Sequence, residues 1–220
     1  RDYDAFDEEQ GIMGADNSPE GLKFISAEKS PVENPLLLAA CEVGGTVAAY
    51  ALGQQPEVEL PFTDVKEDQW FYDGVRYVYE EGMMDGMGND QFQPDTGVSR
   101  AMVWTVLARL DGVDSEGGEN WYAKAQQWAM EKGISDGTMA EDSVTREQLV
   151  TMLYRYADNP EATGDLAGYP DADQVNQWAK EAMVWGLQTK LINGMDGKLN
   201  PQGGATRGQL ATMLMRFCQD

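Results

Sequence analysis

Apolar residues recur at i, i+3, i+4 and i+7 in three places: Val103, Val106, Leu107 and Leu110; Leu149, Met152, Leu153 and Tyr156; and Leu210, Met213, Leu214 and Phe217. Each set predicts one buried stripe on an α-helix. Each stripe follows a hydroxyl residue and an arginine, as Ser99-Arg100, Thr145-Arg146 and Thr206-Arg207. Ser99, Thr145 and Thr206 predict N-caps, whose hydroxyls accept from first-turn amides. Thr145 with Gln148, and Thr206 with Gln209, predict capping boxes, whereas Ser99 has Met102 at that place.

A second helical pattern precedes each of these, over Trp70 to Glu81, Trp121 to Lys132 and Trp178 to Thr189. Gly82 and Gly133 sit where a glycine stops a helix, and the third copy has Lys190 there. Trp70, Trp121 and Trp178 each stand 16 residues before a glycine, Gly86, Gly137 and Gly194. Tyr77, Trp128 and Trp185 stand nine residues before the same glycines. The chain therefore carries one helix-loop-helix unit three times, and the stripes need one another for burial. The units are assigned to residues 61–112, 119–158 and 166–220. The loop from glycine to arginine spans 14, nine and 13 residues, so the second unit is the short copy. It also lacks the proline found at Pro94 and Pro201.

These units resemble the S-layer homology domain. The resemblance rests on Phe62-Thr63-Asp64-Val65, Trp70, Gly82-Met83-Met84-Asp85-Gly86, Phe92-Gln93-Pro94 and Ser99-Arg100-Ala101. It continues in Gly133-Ile134-Ser135-Asp136-Gly137 with Thr145-Arg146-Glu147. It ends in Tyr169-Pro170-Asp171-Ala172, Leu191-Ile192-Asn193-Gly194 and Thr206-Arg207-Gly208. The family's acid after the arginine is replaced by Met102, Gln148 and Gln209. The resemblance implies an all-α fold with pseudo-threefold symmetry around a central helical bundle. It also implies cell-wall anchoring, through inter-repeat grooves, to an anionic and often pyruvylated secondary cell-wall polysaccharide. A protein-interaction or S-layer assembly module, with other S-layer proteins as partners, is the alternative. The implied location is secreted, at the cell surface, cell wall or S-layer.

The candidate glycan-binding residues are Arg100, Arg146 and Arg207, Trp70, Trp121 and Trp178, and the pairs Asp85-Gly86, Asp136-Gly137 and Asn193-Gly194. An arginine at a helix N-terminus opposes the helix dipole. It reads either as pairing with one of many carboxylates or as a planar fork for a ligand anion. Arg109, Arg155 and Arg216 recur near helix C-termini and read as structural. Trp70, Trp121 and Trp178 fit a groove wall or the core equally, because an aromatic face suits both a sugar ring and packing. Trp128 and Trp185 read as core. The three glycines predict tight turns with positive φ or close approach of a ligand. The short loop of the second unit predicts that Arg146 has the weakest groove.

Composition narrows the classes. Net charge is −22 and the pI about 4.1, which argues against nucleic acid and anionic lipid. No apolar run is long enough to span a membrane. Histidine is absent, which removes the usual general base and the commonest metal ligand. Two cysteines cannot make a structural zinc site. The Asp85–Asp90 loop lacks the spaced acids of an EF-hand, so no metal, no cofactor and no catalytic residue is assigned. Cys41 and Cys218 are the only cysteines and are expected to form a disulfide. Residues 1–60 form an acidic N-terminal extension. Residues 1–31 predict disorder or a strap on the repeats, and 35–52 a docked helix weakened by Gly44 and Gly45. The start at Arg1 suggests a trimmed fragment of a longer secreted protein.

Overall fold

In the computed structural model the described residues are 6–7, 12–13, 22–25, 36–41, 46–51 and 59–219 except 116. Two compact units result, Arg1–Val58 and Glu59–Asp220.

The second unit holds the helices: α1 (Tyr72–Glu80), α2 (Arg100–Leu110), α3 (Ala123–Glu131), α4 (Arg146–Tyr156), α5 (Lys180–Gln188) and α6 (Arg207–Gln219). The stripes on α2, α4 and α6 are core as expected. Val103, Leu149, Leu210, Leu107, Leu153 and Leu214 are all fully buried. The fourth stripe position, Leu110, Tyr156 or Phe217, is half-buried at the rim of the core, where the Tyr156 and Phe217 rings lie 5.8 Å apart.

The helices pair between units. Helix α3 packs on α2, α5 on α4, and α1 on α6, so the first helix of each unit lies on the second helix of the unit before it, and the first unit closes the ring on the third. A ring of this kind has no free end to fray. At the α1–α6 contact Gly74 is required by close approach, since a Cβ there would lie 2.7 Å from the Thr212 backbone. Thr105, Thr151 and Thr212 occupy equivalent places, and each buried hydroxyl donates to the carbonyl four residues before it.

The pseudo-threefold axis is written in the backbone. Val98 N–H donates to Ala205 O, Ala205 N–H to Val144 O, and Val144 N–H to Val98 O, closing a triangle of hydrogen bonds at 2.8–3.0 Å. These residues directly precede the caps. Ser99 Oγ accepts from Met102 N, Thr145 Oγ1 from Gln148 N and Thr206 Oγ1 from Gln209 N. The box at Thr145 closes on both sides. The box expected at Thr206 is made on the hydroxyl side, and the Gln209 amide oxygen is instead engaged by Arg146. The first two amides of each capped helix, otherwise orphaned, donate to the next unit's loop: Arg100 and Ala101 to Asp142 O and Ala140 O, Arg146 and Glu147 to Gly203 O and Pro201 O, Arg207 and Gly208 to Thr96 O and Pro94 O. The short loop keeps this contact with Ala140 in place of a proline.

Helices α1, α3 and α5 stop on a left-handed residue, Gly82 (φ 65°), Gly133 (φ 70°) and Lys190 (φ 57°). The lysine therefore serves as the stop in the third unit, at a conformational cost that glycine avoids.

The N-terminal compact unit, Arg1–Val58, departs from expectation. The described residues of the expected 35–52 helix are strands: β4 (Leu36–Cys41) pairs antiparallel with β5 (Thr46–Ala51), and β3 (Leu22–Ile25) pairs with β4. Short strands β1 (Phe6–Asp7) and β2 (Ile12–Met13) form a separate pair. Gly44-Gly45 between two apolar runs is a hairpin signal as much as a helix weakness, and Thr46 and Val47 favour strand. The strap expected over 1–31 lies mostly outside the described residues. Cys218 is a free thiol, and Cys41, the partner expected for it, stands in the other compact unit with its side chain outside the described residues. The Cys218 thiol is half-buried against Tyr77, where burial, and then the thiol contact, push the phenol up to about 12. Cys41 lies in β4, not in a helix.

Candidate functional site

Each arginine that opens a helix reaches into the loop of the following unit. Arg100 Nε donates to Thr138 O (2.8 Å), Arg146 Nε to Leu199 O (3.1 Å) and Arg207 Nε to Phe92 O (2.8 Å). The Arg146 groove draws on three units: its arginine from the second, the glycine loop of the third, and Trp70 before the first-unit helix that packs on the third. The ring of helix pairs sets this arrangement, which the linear order of the motifs hides.

A cleft of about 440 Å³ is lined by Arg146, the loop Leu191–Asp196, Gln209, Thr212, Met213 and Arg216 of α6, and Trp70. Trp70 leads into α1, which packs on α6, and it is 62% exposed. The Arg146 guanidinium is buried, with 4% of the residue exposed, and its partners are Leu199 O and Gln209 Oε1. Among the described residues no carboxylate makes an ion pair with it. Burial pulls its pKa down, and Asp171 at longer range partly restores it. Asn193 stands before Gly194 and carries no charge.

Asp171 shapes this loop. It accepts from Leu199 N (2.9 Å) and Asn200 N (2.8 Å). Burial raises its pKa, but the two amides outweigh burial and hold the carboxyl below its usual range. Asp64 makes the same pair of bonds to Phe92 N and Gln93 N in the first unit. Glu147, fully buried in the first turn of α4, accepts from Asn176 N, Asn176 Nδ2 and Gln202 Nε2 and pins the loop from behind.

The Arg100 groove is different. Arg100 Nη2 pairs with Asp136 Oδ1 at 2.6 Å and also donates to Ser135 Oγ at 2.7 Å. Asp136 in turn accepts from Thr138 N at 3.0 Å. That amide, then the Thr138 side chain and Arg100, hold the carboxyl below its usual range against desolvation. The Arg207 groove is intermediate. Arg207 is buried, stacks over the Phe92 ring at 4.4 Å and donates Nη2 to the Asp85 carbonyl, while the Asp85 carboxylate turns to Arg109 at 3.3 Å.

Several sequence readings change here. The short loop of the second unit walls Arg100, not Arg146, so the groove expected to be weakest is bounded by a full-length loop. Gly137 and Gly194 have positive φ (72° and 79°), but Gly86 does not; a Cβ there would meet the Phe62 ring at 2.7 Å. Trp121 and Trp178 are about half exposed, like Trp70, while Trp128 and Trp185 are buried. Arg109, Arg155 and Arg216 each donate to a carbonyl at the start of their own unit's loop, Met83, Ile134 or Leu191. Sequence reading missed Gln209, Ser135 and Thr138 as arginine partners, because each comes from a different unit.

The S-layer homology domain model matches residues 61–101 and 168–211, leaving the short middle unit unmatched. An endoglucanase of Bacillus sp. (strain KSM-635) is 29% identical over 70% of this chain and 18% of its own length. The surface-layer 125 kDa protein of Lysinibacillus sphaericus is 28% identical over 67% of this chain and 14% of its own. The cellulosome-anchoring protein of Acetivibrio thermocellus is 25% identical over 58% and 32%. The chain thus spans less than a third of each of these relatives. Among the described residues no helix is long and apolar enough to cross a membrane. The two matched segments show a chain similar to S-layer homology domains at its first and third units.

Proposed function

We propose that residues 61–112, 119–158 and 166–220 are three S-layer homology repeats that anchor a secreted protein non-covalently to a Gram-positive-type cell wall. The ligand is an anionic, pyruvylated secondary cell-wall polysaccharide held in the inter-repeat grooves. The observation that carries this reading is Arg146, a buried cation at a 440 Å³ cleft that, among the described residues, makes no ion pair, although Asp196 also lines the cleft. A buried charge is costly unless paired, and a ligand carboxylate supplies the missing partner with charge-assisted hydrogen bonds. Trp70 at the rim offers its face to a sugar ring.

The relatives support anchoring over catalysis. The shared stretch occurs in proteins named for different activities and in surface-layer proteins named for none. A module common to both fits an anchoring task better than a catalytic one. A net charge of −22 favours a second reading, an S-layer assembly or protein-interaction module, since it repels an anionic polymer at long range. Co-sedimentation with purified wall sacculi separates the two. Retention that disappears after mild acid removes the pyruvate supports the glycan reading. Retention that survives it removes pyruvate from the glycan reading, and no retention on protein-free sacculi supports the protein reading.

A further inference from the structure

We propose that Asp136 is an internal counter-anion that closes the Arg100 groove to ligand, while the equivalent Asn193 leaves the Arg146 groove open. This rests on the glycan reading above and adds which groove is used and what decides it.

The two grooves share one construction. Arg100 and Arg146 hold the same place on α2 and α4, and both donate Nε to a carbonyl of the next loop. Asp136 and Asn193 each precede the loop glycine. At that point one groove carries a carboxylate and the other a neutral amide. The carboxylate is already seated, 2.6 Å from Arg100 Nη2, and the Thr138 amide fixes the same oxygen, Oδ1. The short loop also spends Nη2 on Ser135. The donor edge that a ligand carboxylate would use is thus engaged by the chain itself.

Asp136 is exposed, so the pair alone is a weak lock. Two effects strengthen it. The tethered carboxylate competes at the high effective concentration of a short link, and once displaced it still repels the incoming anion. Together they weaken ligand at Arg100 by about tenfold or more relative to Arg146. Arg207 stands apart, because Asp85 gives it a backbone carbonyl and turns its carboxylate to Arg109.

The test is a calorimetric titration of the full chain with a methyl hexopyranoside bearing a pyruvate ketal, using wild type, Asp136→Asn and Asn193→Asp. Asparagine at 136 retains an oxygen for the Thr138 amide, and circular dichroism melts check that each variant folds. The proposal expects one more binding equivalent in Asp136→Asn than in wild type, and one fewer in Asn193→Asp. An unchanged count in folded Asp136→Asn, with wild type binding, overturns the proposal and leaves the glycan reading standing. A silent wild type with one site in Asp136→Asn upholds the internal counter-anion and overturns the reading at Arg146. No binding by either protein overturns both.

Discussion

Arg146 and Arg100 are the same residue in two copies of one unit, and their surroundings differ almost entirely. Arg146 lies beneath a cleft, buried, bonded to two neutral oxygens and next to Asn193. Arg100 keeps 14% of its side chain exposed, faces a loop five residues shorter than the first, and is neutralised by Asp136. The helices beneath them are equivalent to the residue. A threefold scaffold therefore fixes where an arginine stands, and the loop of the next unit fixes whether its charge is free. Between these two grooves the difference lies in loop length and in the residue before the loop glycine.

The largest expected effect removes the support beneath one side of the comparison. Trp185 on α5 packs against Tyr154 on α4, the helix that Arg146 heads, with ring centroids 5.5 Å apart. Trp185→Ala should cost about 3–5 kcal/mol of stability. Urea denaturation reads this, and loss of wall binding at unchanged stability would place Trp185 in the ligand site instead.

Next come the arginines. Arg146→Ala leaves Leu199 O and Gln209 without a charged donor and should cost about 1–3 kcal/mol. Arg100→Ala breaks a pair whose acid is exposed, which should cost about 1 kcal/mol or less. Equal losses in thermal melts would mean that the two environments are energetically alike.

How much of this was legible in the sequence depends on range. The stripes, caps and helix order follow from local spacing, and Trp128 and Trp185 were read as core from their periodicity. The exchange of partners between units was not legible, since a motif that repeats perfectly does not say which copy it touches. That is why the short loop was assigned to Arg146, when it lies against Arg100. The strands at Leu36–Cys41 and Thr46–Ala51 were misread for a different reason. Leucine and alanine favour helix locally, and only pairing with another strand reverses the preference.

Acid should act on both loops. Asp136 and Asp171 have folded-state pKa values below their unfolded ones. Their contribution is therefore complete above the unfolded value, near about 4, and is lost as pH falls through the lowered folded values. Melting temperature should be flat in these groups from neutral pH to about 5 and then fall, less steeply in Asp171→Asn. An identical slope in the variant would remove Asp171 from the account.

The smallest effect concerns the helix stop. Lys190→Gly relieves a left-handed lysine and should raise stability by about 1 kcal/mol. The matching change at Gly133, Gly133→Lys, should lower it by a similar amount, and chemical denaturation of both reads the pair.

The central claim is that a buried, unneutralised Arg146 is the anion receptor. Co-sedimentation of Arg146→Ala and Arg100→Ala with pyruvate-bearing sacculi tests it most directly. The account predicts that Arg146→Ala stays in the supernatant while folded and that Arg100→Ala sediments like wild type. Retention of Arg146→Ala at the wild-type level would contradict it.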